Sequence, residues 1–169
     1  MGIVDVREVV GKPDIEAVAA LARSIWNEHY VPIIGQAQVD YMLERFQSAA
    51  AISGQIGSGY RYFLAGRGGR DIGYLAVCSD AAGGSMILSK IYVVAGSRRS
   101  GVGRALLERA EALCRQSGLS RLWLTVNRHN AKSIAAYERM GFRNVGVLVT
   151  DIGGGFVMDD YRMEKEIRA

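Results

Sequence analysis

The 169-residue sequence has no run of more than two consecutive Lys or Arg residues, although its net charge is +4. Nucleic-acid-binding proteins typically show a basic face with interleaved aromatic side chains. No segment of this sequence has that pattern, so we expect no nucleic-acid partner. The mild positive charge is compatible with a small anionic ligand.

The sequence also lacks a long hydrophobic run, because no stretch reaches the roughly 18 apolar residues of a membrane span. The first ten residues, MGIVDVREVV, do not combine a charged lead with a long apolar stretch, as a secretory signal would. We therefore expect a cytoplasmic protein with no membrane partner.

Cysteine is scarce: Cys78 and Cys114 both lie in apolar, periodic segments, which predicts buried free thiols. Apolar residues make up 49% of the chain and charged residues 22%, as in ordinary globular proteins. No repeat or linker is visible. We expect one mixed α/β domain over residues 1–169, and we assign no metal site.

Apolar periodicity predicts the order of strands and helices. Residues 51–59 (AISGQIGSG) are interpreted as a loop, and Asp14 is placed as the N-cap of the first helix. Strands are expected at 2–9, 60–67, 71–80, 86–94, 121–127, 143–152 and 156–167, and helices at 12–30, 35–49, 104–117 and 129–142.

A Gly- and Arg-rich loop, SRRSGVG at 97–103, joins a predicted strand to a predicted helix. A helix N-terminus offers free N–H groups and about half a positive charge, and glycine lets the backbone approach an anion closely. This arrangement indicates a phosphate cradle. The sequence has neither G-x-x-x-x-G-K-[ST] nor G-x-G-x-x-G, which argues against a P-loop NTPase and a dinucleotide fold.

Two motifs resemble those of the GNAT acyltransferase superfamily. RRSGVG at 98–103 is similar to its [Q/R]-x-x-G-x-[G/A] loop, and NAKSIAAYERMGF at 130–142 to its N-x-x-A/S-x-x-x-Y-x-x-x-G-F segment. The resemblance is strong over 87–142 and looser elsewhere. It implies a central, mixed but mostly antiparallel twisted sheet of about seven strands, with about four helices and splayed fourth and fifth strands.

The resemblance implies acetyl-CoA as the cofactor, with its pyrophosphate on the loop amides and its pantetheine arm along the strand before the loop. A strand amide near Val93 would donate to the thioester oxygen. The residues implied in cofactor binding are Ile91, Tyr92, Val93, Arg98, Arg99, Ser100, Gly101, Val102, Gly103, Arg104, Asn130 and Ser133.

Tyr137 follows Asn130 and Ser133 at helical spacing, so one ligand could meet all three side chains. A tyrosine has a pKa of about 10 and is protonated at pH 7, so it can donate a proton to a leaving thiolate. With the motif around it, Tyr137 is predicted as the general acid. A core tyrosine is the alternative.

The general base is poorly marked. The acceptor amine must arrive neutral, which costs a lysine-like amine about 4.6 kcal/mol at pH 7. Related enzymes often carry a glutamate on the fourth or fifth strand, where this chain has Ser89 and Thr125. Glu28 and His29 are the base candidates that we retain; a surface histidine and a water relay are the alternatives.

The acceptor site is expected at Trp26, Tyr30, Thr125 and Asn127. Tyr41 and Phe46 complete an aromatic cluster, although Phe46 and Trp26 also fit a core. Asp159 and Asp160 could attract a cationic acceptor, but we favour two solvated carboxylates.

The sequence thus predicts an acetyl-CoA-dependent N-acetyltransferase that acts on a primary amine by direct attack in a ternary complex. We expect that amine to belong to a small molecule. A protein N-terminal (alanine-type) acetyltransferase is the alternative, and a non-catalytic acyl-CoA sensor the second. The protein is expected to be a monomer or a homodimer.

Overall fold

The computed structural model describes residues 2–169 and contains a seven-stranded sheet flanked by six helices. No helix of this part of the chain is both long and apolar enough to cross a membrane. The strands are β1 Asp5–Glu8, β2 Arg61–Arg67, β3 Arg70–Asp80, β4 Ser85–Val93, β5 Arg121–Asn127, β6 Arg143–Gly153 and β7 Phe156–Glu166. The helices are α1 Gly11–His29, α2 Val31–Ile34, α3 Gln36–Phe46, α4 Ala49–Gly57, α5 Val102–Gln116 and α6 Ala131–Arg139.

The strand order is β1-β2-β3-β4-β5-β7-β6, and every neighbouring pair is antiparallel except β4 and β5. One apolar core lies between the sheet and α5, and a second lies between the sheet and α1, α3 and α4. The predicted fold class and strand number are confirmed.

The structure has two helices more than predicted. One is the short α2, which lies between the first two predicted helices, and the other is α4, where residues 51–59 were expected to form a loop. Gly54 and Gly57 have low helix propensity. Tertiary packing overrides that preference: Ile52 is fully buried in the second core, and the Ser48 hydroxyl caps the helix by accepting from the Ala51 N–H at 3.2 Å.

The start of α1 also differs. The helix begins at Gly11, so Asp14 lies in its first turn and is not the N-cap. The Asp14 carboxylate reaches back to accept from the Val10 N–H at 2.8 Å and pairs with Arg7 at 2.9 Å. It therefore satisfies an N–H group ahead of the helix, as the acidic residue of a capping box does.

A one-residue bulge in β4 sets which side chains face the two cores. Ala76 of β3 pairs with Lys90, but the next residue, Val77, pairs with Leu88, so Ser89 is the extra residue. Side chains alternate along a strand, and a bulge shifts the alternation by one. Leu88 before the bulge and Ile91 after it consequently both face the α5 core.

The parallel pair β4–β5 is hydrogen-bonded only from Ser85 to Ile87 on β4. Beyond Ile87 the two strands diverge, so β4 has no β5 partner through Val93. The predicted splay between the fourth and fifth strands is therefore present. Cys114 is a buried free thiol, as expected, whereas Cys78 is only half-buried.

Candidate active site

The first cavity, which we call the cofactor cavity, lies at the β4–α5 loop and has a volume of about 550 Å³. Its floor is the free edge of β4, and its far wall is α6. Four cationic side chains line it: Arg98, Arg99, Lys132 and Arg139. The remaining predicted cofactor residues in its lining are Ile91, Tyr92, Val93, Gly103 and Ser133.

The loop has the backbone geometry of an anion cradle. Arg99 and Gly101 have φ angles of 60° and 88°, and α5 begins at the next residue with no side chain capping its first N–H groups. A Cβ atom placed on Gly103 would meet open space. Free N–H groups, local positive charge and open backbone suit a pyrophosphate, so these residues fit coenzyme A.

Four predicted cofactor residues of the loop, Ser100, Gly101, Val102 and Arg104, do not line the cavity. The Ser100 hydroxyl donates to Ser97 O at 2.6 Å and accepts from Arg67. Val102 is fully buried in the α5 core. Arg104 is exposed on α5, and neither it nor Gly101 is part of the cavity lining.

Asn130 is buried behind the cavity wall and does not line it. Its Oδ1 accepts from the Ser133 N–H at 3.4 Å and caps α6, and its Nδ2 donates to the Tyr30 hydroxyl at 3.3 Å. Oδ1 also lies 3.1 Å from Nε2 of His29, so that nitrogen carries the proton. Asn130 thereby fixes two side chains of the site.

The two base candidates from the sequence, Glu28 and His29, lie at different places. Glu28 is exposed and lines neither cavity. His29 lines the cofactor cavity, and burial lowers its pKa while the Asn130 hydrogen bond opposes this. Neither residue lines the second cavity, which lies beyond Tyr30 and Tyr92.

A second cavity, of about 390 Å³, lies on the opposite side of Tyr30 and Tyr92, which line both cavities. Its walls are mainly aromatic and aliphatic, and Trp26 stacks on Tyr30 with ring centroids 4.3 Å apart. We call it the acceptor cavity. Its aromatic and aliphatic lining includes Trp26, Tyr30, Ile34, Met42, Phe46, Tyr60, Leu88, Tyr92, Trp123 and Met158.

The structure brings all four predicted acceptor residues to this cavity: Trp26, Tyr30, Thr125 and Asn127. Phe46 also lines it, but Tyr41 does not. Tyr41 packs on Phe156, and its hydroxyl donates to Ile152 O at 2.6 Å. The aromatic cluster therefore divides between the cavity and the packing of the β6–β7 hairpin.

Tyr137 lies on the other side, in the cofactor cavity, with its ring packed edge-on against Phe142. Burial raises its pKa, and the negative charge that an ionised Tyr30 would carry adds to the rise. The phenol is therefore protonated at neutral pH, as proton donation requires.

Lys90 is a buried charged residue that sequence reasoning did not assign to the site. It lies in the acceptor-cavity wall, and its Nζ donates to Phe46 O and to Gln55 Oε1, the latter at 3.0 Å. Tyr62 is its third partner. Burial lowers the pKa of Lys90 to about 7. The signal in the sequence is a lysine inside the apolar strand ILSKIYVV.

Asp160 is the second buried charged residue in the wall of this cavity. It is 5% exposed and lines the acceptor cavity, which corrects the expectation of two solvated carboxylates. Burial raises its pKa to about 6, and a hydrogen bond with Thr125 opposes the rise. Successive strand residues face opposite sides of a sheet, so Asp159 points away and pairs with Arg128 at 3.0 Å.

Residues 20–142 match the sequence model of the Acetyltransferase (GNAT) family. The chain is 39% identical over 88 residues to a streptothricin acetyltransferase of Streptomyces lavendulae, covering 52% of this chain and 47% of that protein. It is 42% identical over 50 residues to the ribosomal protein bS18-alanine N-acetyltransferase of Escherichia coli K12, covering 30% and 34%. The matches thus span half or less of these two curated relatives.

Solved structures show the same fold. The PaiA N-acetyltransferase of Thermoplasma acidophilum, a complex with coenzyme A, superposes with a TM-score of 0.78 at 21% identity over 97% of this chain and 99% of that one. A nourseothricin acetyltransferase superposes with a TM-score of 0.61 at 30% identity over 66% and 68%. The sequence match extends over most of the chain and includes both motifs, and the protein belongs to the GNAT acetyltransferase family.

Proposed function

We propose that this chain is an N-acetyltransferase that moves the acetyl group of acetyl-CoA to a primary amine of a small molecule. One observation carries the proposal: a cationic cavity at a helix N-terminus and an apolar cavity with polar groups meet at Tyr30 and Tyr92. Two reactants that enter from opposite sides would meet there. Holding them in one place supplies much of the rate enhancement of a bimolecular reaction.

The residues that would hold coenzyme A are the cations and glycine of the first cavity, with the free edge of β4 beside them. When bound, acetyl-CoA supplies an acetyl thioester, an activated acyl group. Tyr137 lies in the same cavity and is protonated at neutral pH, so it serves as the acid for the departing sulfur.

The acceptor cavity favours a small amine with an apolar body. Its aromatic walls bury apolar surface, and Lys90 and Asp160 place polar groups at separate positions within them. Helices α3 and α4 contribute Met42, Phe46 and Gln55 to the walls. The streptothricin relative is likewise a small-molecule acetyltransferase by name.

The proposal is tested by mixing the purified protein with acetyl-CoA and measuring free thiol release with streptothricin, polyamines, amino acids, aminoglycosides and N-terminal peptides. We expect release with a small amine and a 1:1 calorimetric titration with acetyl-CoA. Release with peptides alone would move the acceptor to protein N-termini. Binding without any release would indicate a sensor, and no binding would overturn the cofactor assignment.

A further inference from the structure

The acceptor cavity contains a buried carboxylate without a cationic partner. Asp160 forms no ion pair with any Lys, Arg or His among residues 2–169. The nearby cations are engaged elsewhere: Arg128 pairs with Asp159, and Arg162 pairs with Glu164 at 2.8 Å while its guanidinium stacks 3.9 Å over Trp123. A buried charge without a partner is costly, so the cavity favours a cationic occupant.

Asp160 also lies close to the place where the two cavities meet. It pairs with Asn127 across β5 and β7, and its charge reaches Tyr30: burial, together with the negative charge of Asp160, raises the pKa of Tyr30 to about 12. Tyr30 lines both cavities. An amine held by Asp160 would therefore lie beside the wall that separates it from the cofactor cavity.

We propose that Asp160 receives the ammonium group of the acceptor and removes its proton, which makes it the general base of the acetyl transfer. This rests on the proposed function. The amine nitrogen forms a bond to the acetyl carbon, and the carbon–sulfur bond breaks. One proton of the ammonium goes to Asp160 and then to solvent. Tyr137 protonates the sulfur and is reprotonated by the second proton that the nitrogen loses.

The protonation state of Asp160 suits this role. Burial raises its pKa to about 6, which makes it a stronger base than an exposed aspartate but leaves it ionised at pH 7. An acceptor ammonium would lower this pKa, because an opposite charge favours the carboxylate. The titratable or charged groups that share the cavity with Asp160 or adjoin it are Tyr30, Tyr60, Lys90, Tyr92, Arg128, Asp159 and Arg162.

The first experiment compares Asp160→Asn with the matched control Asp159→Asn, using benzylamine and O-benzylhydroxylamine. Both probes carry the same ring, but at pH 7 benzylamine is an ammonium ion and O-benzylhydroxylamine is neutral. For Asp160→Asn we expect kcat/KM to fall about 100-fold or more with benzylamine and less than about fivefold with the neutral probe. Asp159→Asn should match wild type with both probes.

Equal losses with the two probes, or no loss with benzylamine, would overturn the proposal. A merely structural role is checked by thermal unfolding at pH 8. Because Asp160→Asn removes an unpaired buried charge, its midpoint should be at or above that of wild type, and its coenzyme A affinity should be unchanged. A lower midpoint together with weaker coenzyme A binding would assign Asp160 a structural role and overturn the proposal.

A second measurement does not depend on turnover. The protein is labelled with ¹³C at its aspartate carboxyl groups, and the Asp160 resonance is assigned as the one missing from the spectrum of Asp160→Asn. That resonance should titrate near pH 6. Benzylamine, added in the presence of coenzyme A, should move that midpoint to lower pH. An unchanged midpoint would overturn the role of Asp160. If the wild-type protein releases no thiol with any amine but benzylamine still moves the midpoint, the proposed acetyl transfer is wrong. The binding of an amine by Asp160 is then still supported.

Discussion

Tyr30 is the residue that joins the two halves of the site. Its ring stacks on Trp26 and meets His29 edge-on at 4.8 Å, and its hydroxyl accepts from Asn130. These contacts come from α1 and from the residue that caps α6, so the two helices hold one wall together. Aromatic rings lose few degrees of freedom when they are buried, which suits a fixed partition between two reactants.

Replacing Tyr137 by Phe removes the proposed acid and keeps the ring packed on Phe142. We expect the rate of thiol release to fall about 10²- to 10³-fold, because the sulfur then leaves without a proton. The dissociation constant of acetyl-CoA, measured by calorimetry, should change less than about twofold. Unchanged turnover would show that Tyr137 is not the acid.

Replacing Gly103 by Ala separates stability from binding. Gly103 lies in the first turn of α5, and a Cβ there meets no atom within 4 Å. Alanine should raise the free energy of unfolding by about 0.5–1 kcal/mol, because glycine is a poor helix former. The loop motif accepts alanine as well as glycine at this position and the methyl group meets open space, so the affinity for coenzyme A, measured by calorimetry, should stay the same. A clear loss of affinity would contradict the open approach to the cradle at Gly103.

Among the helices and strands, α4 is the element that local sequence disfavours and packing stabilises. It supplies Gln55, which donates to Phe46 O at 3.1 Å and accepts from both Lys90 and Tyr62. The helix thus ties the end of α3 to the bulged strand β4. The acceptor-cavity wall depends on these contacts.

Removing the cap of α4 should therefore weaken the fold. In Ser48→Ala the Ala51 N–H has no side-chain acceptor, and we expect a decrease of about 1 kcal/mol in the free energy of unfolding by urea. Ser58→Ala is the matched control, since Ser58 is exposed at the other end of the helix. A similar decrease in both variants would show that the cap contributes nothing specific.

Across the molecule as a whole, the sheet separates two apolar cores. The gap between the diverging strands β4 and β5 joins the two faces of the sheet. The cations of the cofactor cavity lie on one side of Tyr30 and Tyr92, and the carboxylate of Asp160 lies on the other. This separation of charge is what the proposed reaction needs, with an anionic acetyl donor on one side and a cationic amine on the other.

Lys90 gives the folded protein a pH dependence that we expect to see in its stability. The pKa of Lys90 is about 7 in the folded protein and 10.5 without burial. Between pH 7 and pH 10.5 the folded state therefore binds fewer protons than the unfolded chain. Stability from this residue therefore rises with pH. Between pH 7 and pH 9, the free energy of unfolding by urea should increase by about 2 kcal/mol more for wild type than for Lys90→Met.

The matched control is Lys12→Met, because the Lys12 side chain is 85% exposed. Its difference from wild type should be the same at both pH values. The packing change that Lys90→Met introduces has the same energy at each pH, so it cancels in the comparison. A constant difference for Lys90→Met as well would mean that Lys90 stays charged in the folded protein.

Sequence alone predicted the features that arise from neighbouring residues. The amphipathic pattern of α5 and the loop before it are local, and so is the helical spacing of Ser133 and Tyr137, since each depends on a few residues of chain. The alternation of side chains along β5 is local as well, and in the structure it puts Leu122, Leu124 and Val126 in the α5 core and Thr125 in the wall of the acceptor cavity.

Long-range packing determined the features that depend on distant segments. The burial of Asp160 and Lys90 follows from the register of β7 against β5 and from the bulge at Ser89, and neither is visible in a short window of sequence. Helix α4 forms because Ile52 finds a core, against its own propensity. Environment sets the pKa of a buried group, so the sequence indicated Tyr137 as the acid that we propose but did not indicate Asp160 as the base.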